Sequence, residues 1–172
     1  MRPRAHAGAD STPGSIAAAV LIIGFGNALL SDDGAGVRVL QRLRFELADS
    51  NANFVDGGTL SFSLLCSIES TDAMLIIDAA ELKQAPGTVR VYEGIAMDTF
   101  LKSTRRRTVH DVGIIDLLDM AQLEDCLPRR RALLCMQPDR IDWNDSLSDA
   151  VERALPTASR QARELLQRWS TT

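Results

Sequence analysis

Three short runs of this chain, Ala18–Ile23 (AAVLII), Ala73–Ile77 (AMLII) and Ala132–Met136 (ALLCM), are apolar at every position. A strand with one wet face alternates polar and apolar residues, so unbroken apolar runs of this length mark strands covered on both faces. Two weaker runs accompany them. Ala52–Val55 (ANFV) is short, and Thr88–Tyr92 (TVRVY) sets Val89 and Val91 against Arg90 and Tyr92, as a strand with one wetter face would. Helical spacing occupies most of the intervals. Val37, Leu40, Leu43 and Leu47 follow a possible N-cap region at Ser31–Asp33, and Leu60, Leu64, Leu65 and Ile68 make a weaker second pattern. Val112, Ile115, Leu118 and Ala121 follow Thr108-Val-His-Asp111, which has the form of a capping box with Asp for Glu. A last helix is predicted over Leu147–Trp169, with a break at Pro156.

The connections predict the topology. Helix-bearing crossovers separate the first three strands, which should therefore run parallel with right-handed connections. Only DAAELKQAPG (78–87) separates the third from the fourth, too short a stretch for a helical crossover, so the fourth should be antiparallel. The expected fold is an α/β three-layer sandwich: a five-stranded, mostly parallel, twisted sheet with one antiparallel strand and helices on both faces.

Residues 1–15 are expected to be a disordered N-terminal lead-in and 16–172 a single domain. Arg2 and Arg4 ahead of the apolar run Ile16–Ile23 imitate a signal peptide. Asp10, Pro13 and Gly14 intervene, no small-residue cleavage site follows, and the run is far short of a membrane span. A cytoplasmic protein without a membrane span is expected. The net charge of −4 argues against a dedicated nucleic-acid binder, the short runs Arg105–Arg107 and Arg129–Arg131 reading as solvated loop or strand edge. Cys66, Cys126 and Cys135 are widely spaced, odd in number and form no CxxC, so reduced, buried thiols are expected.

Chemistry converges at the strand ends. The first strand runs into Gly24-Phe-Gly-Asn-Ala-Leu-Leu-Ser-Asp-Asp33-Gly, the second into Asp56-Gly-Gly-Thr59, and the third ends at Asp78. Ligands of open α/β sheets bind outside the carboxyl ends of the strands, so three segments deliver acids to one rim. Gly24-x-Gly26 is not a dinucleotide fingerprint, because Leu29 occupies the third glycine's place and Asp32-Asp33 would repel a pyrophosphate; no phosphate loop occurs either. Asp32 reads best as a structural residue capping the following helix. Asp33, Asp78 and His110 make the better functional set. An acid ending an apolar strand is costly to bury without a partner, and a histidine in the first turn of a helix is held neutral by the dipole. Two carboxylates and one imidazole suit a divalent transition metal.

These residues resemble a known family. GFGNALLSDDGAGV (24–37), DGGT (56–59), LIIDA followed by APGT (75–88), VHDVGIIDLL (109–118) and MQPDRIDW (136–143) are similar, in order and spacing, to the hydrogenase maturation endopeptidases. The resemblance spans residues 18 to 169. It implies an endopeptidase that removes a C-terminal extension from the large-subunit precursor of a [NiFe] hydrogenase once nickel is inserted. The family's metal-contacting positions map onto Asp33, Asp78 and His110, the expected catalytic residues. Gly26, Asn27, Gly57, Gly58 and Thr59 are the expected substrate-binding positions, with DGGT orienting the substrate chain or an oxyanion. No permanent cofactor is expected: the substrate's nickel engages the trio, although a resident divalent metal activating water is the second scheme. The partner implied is the hydrogenase large-subunit precursor. A non-catalytic nickel-binding chaperone using the same ligands is the alternative. Departures are Glu81, where an Asp is frequent, and the long lead-in.

Overall fold

The computed structural model describes residues 20–58, 64–104 and 109–171, with the side chains at 104 and 109–112 excepted. The predicted lead-in therefore lies outside the described residues. The strands are β1 (Val20–Phe25), β2 (Asn53–Gly58), β3 (Ala73–Ala79), β4 (Val89–Glu93) and β5 (Arg130–Met136). They form one sheet in the order β2-β1-β3-β5-β4. Every pairing is parallel except β4 with β5. The antiparallel edge follows from the short β3–β4 connection.

The all-apolar strands are buried on both faces because two cores sandwich them. On one face Val20, Ile22, Leu75, Ile77, Leu134 and Met136 pack under α1 (Ala35–Glu46) and α5 (Asp149–Ser170). On the other, Leu21, Ile23, Met74, Ile76, Leu133 and Cys135 meet α2 (Leu65–Glu69), α3 (Ile95–Thr104) and α4 (Val109–Leu123). The period-two alternation of strand side chains assigns each residue to its face.

Four local expectations are corrected. Ser31–Asp33 does not cap α1; it forms a tight 3-10 turn over Ser31–Gly34, and α1 begins from Gly34 without a side-chain cap bond. Pro156 does not break α5, which runs unbroken from its N-cap Ser148. The ring sits on the exposed face, while Leu155, Ala158, Ala162, Leu165 and Trp169 hold the helix to the sheet on both sides of the missing N–H. Cys66 is exposed; only Cys135 is a buried thiol, and all three cysteines are free. The second arginine run is partly structural: Arg131 makes a two-point ion pair with Asp98 at 3.0 and 2.5 Å, and Arg130 donates to the Trp169 carbonyl. Among the described residues no helix is long and apolar enough to cross a membrane.

Candidate active site

The strand order reverses at β1. The chain leaves β1 through α1 to reach β2 on one side, and returns through α2 to reach β3 on the other. Such a switch point opens a crevice above the carboxyl ends of the two central strands. What fills it is decided by a close helix–strand approach. A Cβ on Gly36 would lie 2.4 Å from the carbonyl oxygens of both Phe25 and Ile77, so only glycine lets α1 start directly over the ends of β1 and β3. Gly26 has φ +119° and a Cβ there would strike the Asp33 carbonyl, so the β1 exit also needs glycine. The glycines of Gly24-x-Gly26 thus admit the protein's own backbone.

Asp33 ends up at this rim, 6% exposed, its carboxylate accepting the Asn27 backbone N–H at 2.7 Å. The turn that carries it packs against β3. Asp78, 5% exposed, is the penultimate residue of β3, and its Oδ1 accepts the Ala79 N–H at 2.8 Å. Strand alternation turns Asp78 to the side of Met74 and Ile76, the face covered by α4. His110 is the second residue of α4, so the helix start belongs to the same side of the sheet. Its side chain lies outside the described residues. Among the described residues no group of three His, Cys, Asp or Glu side chains is set to hold a metal. A carboxylate–carboxylate–imidazole donor set fits a divalent transition ion by its chemistry.

The predicted substrate-binding loops are brought together. Gly26 donates to the Gly58 carbonyl at 3.0 Å, joining the β1 exit to the end of β2, and Gly58 in turn donates to Asp56 Oδ1 at 2.9 Å. Gly57 packs on Ile23 and Phe25. The N–H groups of Gly26, Asn27 and Gly58 are therefore spent in shaping the rim, and Gly58 can serve an oxyanion only if Asp56 releases it. Thr59 lies outside the described residues.

Asp32 is structural, by a route other than capping α1. Its carboxylate is fully buried and accepts three backbone N–H groups: Asp139 at 2.8 Å, Arg140 at 3.1 Å and Ser148 at 2.7 Å. Burial pushes its pKa up, but the three donors outweigh that and hold the carboxyl below its ordinary value. The segment 138–148 is thereby strapped across the rim. Ser31 N–H reaches the Asn144 carbonyl at 2.7 Å and Asn144 N–H the Leu29 carbonyl at 3.1 Å, making a short parallel bridge. Gln137, buried at the end of β5, is a second organiser. Its Oε1 accepts the Leu82 N–H at 2.7 Å, and its backbone bonds Gly87 and Thr88, closing the β3–β4 connection. Neither tether was anticipated. The signal available was a buried-type polar residue directly after an all-apolar strand, in Met136-Gln-Pro138.

Fold and rim together define a doubly wound α/β protein with two nearly buried carboxylates, Asp33 after strand β1 and Asp78 at the end of the neighbouring strand β3. Comparison with known proteins sharpens the class. The hydrogenase maturation protease family model matches residues 37–164. The chain is 33% identical over 153 residues to the hydrogenase expression/formation protein HoxM of Cupriavidus necator, covering 87% of this chain and 75% of that protein. It is 28% identical to the hydrogenase 2 maturation protease of Escherichia coli, covering 86% and 90%. Among solved structures, the hydrogenase maturating endopeptidase HybD from E. coli superposes with a TM-score of 0.79 at 26% identity, covering 87% of this chain and 93% of that one. The [NiFe] hydrogenase maturation protease HybD from Thermococcus kodakarensis gives 0.73 at 29% identity, covering 86% and 99%. The chain belongs to the hydrogenase maturation protease family and is a hydrolase of peptide bonds.

Proposed function

We propose that this protein cuts a C-terminal extension from the large-subunit precursor of a [NiFe] hydrogenase, in the cytoplasm, after nickel has been inserted. The observation that supports this reading is a pair of nearly buried carboxylates, Asp33 in the turn after β1 and Asp78 at the end of β3, in a chain of the maturation protease family. The nickel is substrate rather than cofactor: it completes its coordination through Asp33, Asp78 and His110, and this fixes the scissile bond beside the acids. Asp33 or Asp78 then takes a proton from a water as its oxygen attacks the peptide carbonyl carbon. The C–N bond breaks as that proton passes to the leaving amine, so one water is consumed and two chains are released. The loops of Gly26, Asn27, Gly57, Gly58 and Thr59 flank the extended substrate segment. A permanent cofactor is not required by this scheme. Serine or cysteine chemistry has no support, because no Ser-His-Asp constellation is evident in the sequence and no cysteine falls in a matched motif.

The test is a mass measurement. Purified protein incubated with nickel-loaded precursor should yield a shorter large subunit and a free C-terminal peptide, while nickel-free precursor stays intact. Equal cleavage of both would remove nickel recognition from the scheme. Tight binding with no change in mass would favour a nickel-handling chaperone.

A further inference from the structure

The residues described so far grip a scissile segment, yet three large apolar side chains beside them stand in solvent. Trp143 is 81% exposed, Leu29 60% and Ile141 55%. They are half of the six large apolar residues so exposed among the described residues, and they sit on two loops that are bonded into one surface. The parallel bridge pairs Leu30 with Asn144, so by register Leu29 stands beside Trp143, with Ile141 two residues upstream on the same strap. This surface is held rather than loose. The buried Asp32 carboxylate fixes the strap at Asp139, Arg140 and Ser148, and Ser31 accepts from Arg140 and donates to the Ser146 carbonyl. An exposed indole on a rigid strap has paid its ordering cost before any partner arrives.

We propose that Leu29, Ile141 and Trp143 form a docking surface for the folded body of the polypeptide substrate, separate from the groups that act on its scissile bond. The inference rests on the processing function proposed above. Two observations commit it to the substrate. The loop that carries Leu29 also carries Asp33, four residues on, so whatever covers the patch is continuous with what enters the site. The strap around the patch is weakly acidic: Asp139, Asp142 and Asp145 stand exposed against Arg140 and against Arg38, which donates to the Asp145 carbonyl, leaving one net negative charge. An apolar centre within a charged polar rim is the usual anatomy of a protein interface, with Trp its most frequent energetic anchor. The complementary face is an apolar patch bordered by Lys and Arg on the precursor, near the base of its C-terminal extension.

The test compares Trp143→Ser, Leu29→Ala and Ile141→Ala with Phe45→Ser, which removes an equally exposed aromatic from the far end of α1. Affinity for nickel-loaded precursor is measured directly, beside KM and kcat for its cleavage. Trp143→Ser should weaken binding and raise KM about thirtyfold while kcat holds, Leu29→Ala and Ile141→Ala should each do so about fivefold, and Phe45→Ser should change nothing. Thermal midpoints confirm that each variant folds, and either aliphatic variant carries the test if Trp143→Ser does not. Unchanged affinity in the folded variants overturns the proposal. So does a dimeric wild type that becomes monomeric on Trp143→Ser, which would make the patch a contact between two copies. Wild type that binds the precursor without cutting it sinks the processing function but leaves the docking comparison readable from affinities. Wild type that does not bind the precursor overturns both.

Discussion

The strap of residues 138–148 and the strand-end rim beneath it each take one acid from the same Asp-Asp pair, and they use it in opposite ways. Asp32 turns into the strap, loses all solvent and spends both oxygens on three backbone N–H groups. Asp33 turns to the rim, where the turn packs on β3 and the carboxylate is anchored by Asn27. A one-residue step in the tight turn separates the acid that ties the strap from the acid proposed to react. Asp32 is tied to a strap more than a hundred residues away, and Asp33 to the loop that it closes.

If that division holds, the rim should be costly to alter in activity and cheap in stability. Asp78→Asn and His110→Ala should each lower the cleavage rate by about a thousandfold, the scale of a lost acid–base group, with the thermal midpoint little moved. Single-turnover assays on nickel-loaded precursor read this directly. The strap should behave the other way. Asp32→Ala strands three buried N–H groups and should cost about 3 kcal/mol in denaturant unfolding, with KM rising more than kcat falls.

A pH titration sharpens the same contrast. Asp32 is held below its ordinary pKa in the folded chain, so its contribution is fully present above the unfolded value of 3.8 and is lost as pH falls from there through the lower folded value. Trp143 fluorescence should report the strap loosening in that acid window, and Asp32→Asn should abolish the transition. The smallest effect is expected far from both regions, where α1 meets α5. Ser159 donates to Glu46, whose carboxyl burial raises but Ser159, Arg42 and Arg163 together hold below its ordinary value. Ser159→Ala should cost about 1 kcal/mol and leave cleavage untouched.

Much of the frame was legible from local pattern. All-apolar runs located β1, β3 and β5, and the short 78–87 connection predicted the antiparallel edge. The acids at the strand ends followed from the parallel topology. What local pattern could not reveal was long-range pairing. Asp32 looked like a helix cap because acids before a helix usually are; its partners lie more than a hundred residues away, at 139, 140 and 148. Helix α3 was missed because its buried stripe is narrow, chiefly Met97 and Leu101, with Phe100 stacked on Tyr92 at 4.3 Å between ring centres. Cys66 sits in an apolar stretch but on the outer side of a helix of five residues, too short to show a period.

The most direct measurement is a side-by-side assay of Asp32→Asn and Asp33→Asn, recording thermal midpoint and turnover of nickel-loaded precursor for both. Asp33→Asn should keep the wild-type midpoint and process no precursor within the assay, while Asp32→Asn should melt lower yet still cut. An inactive but stable Asp32→Asn beside an active Asp33→Asn would contradict the account, because the strap and the rim would then have exchanged their acids.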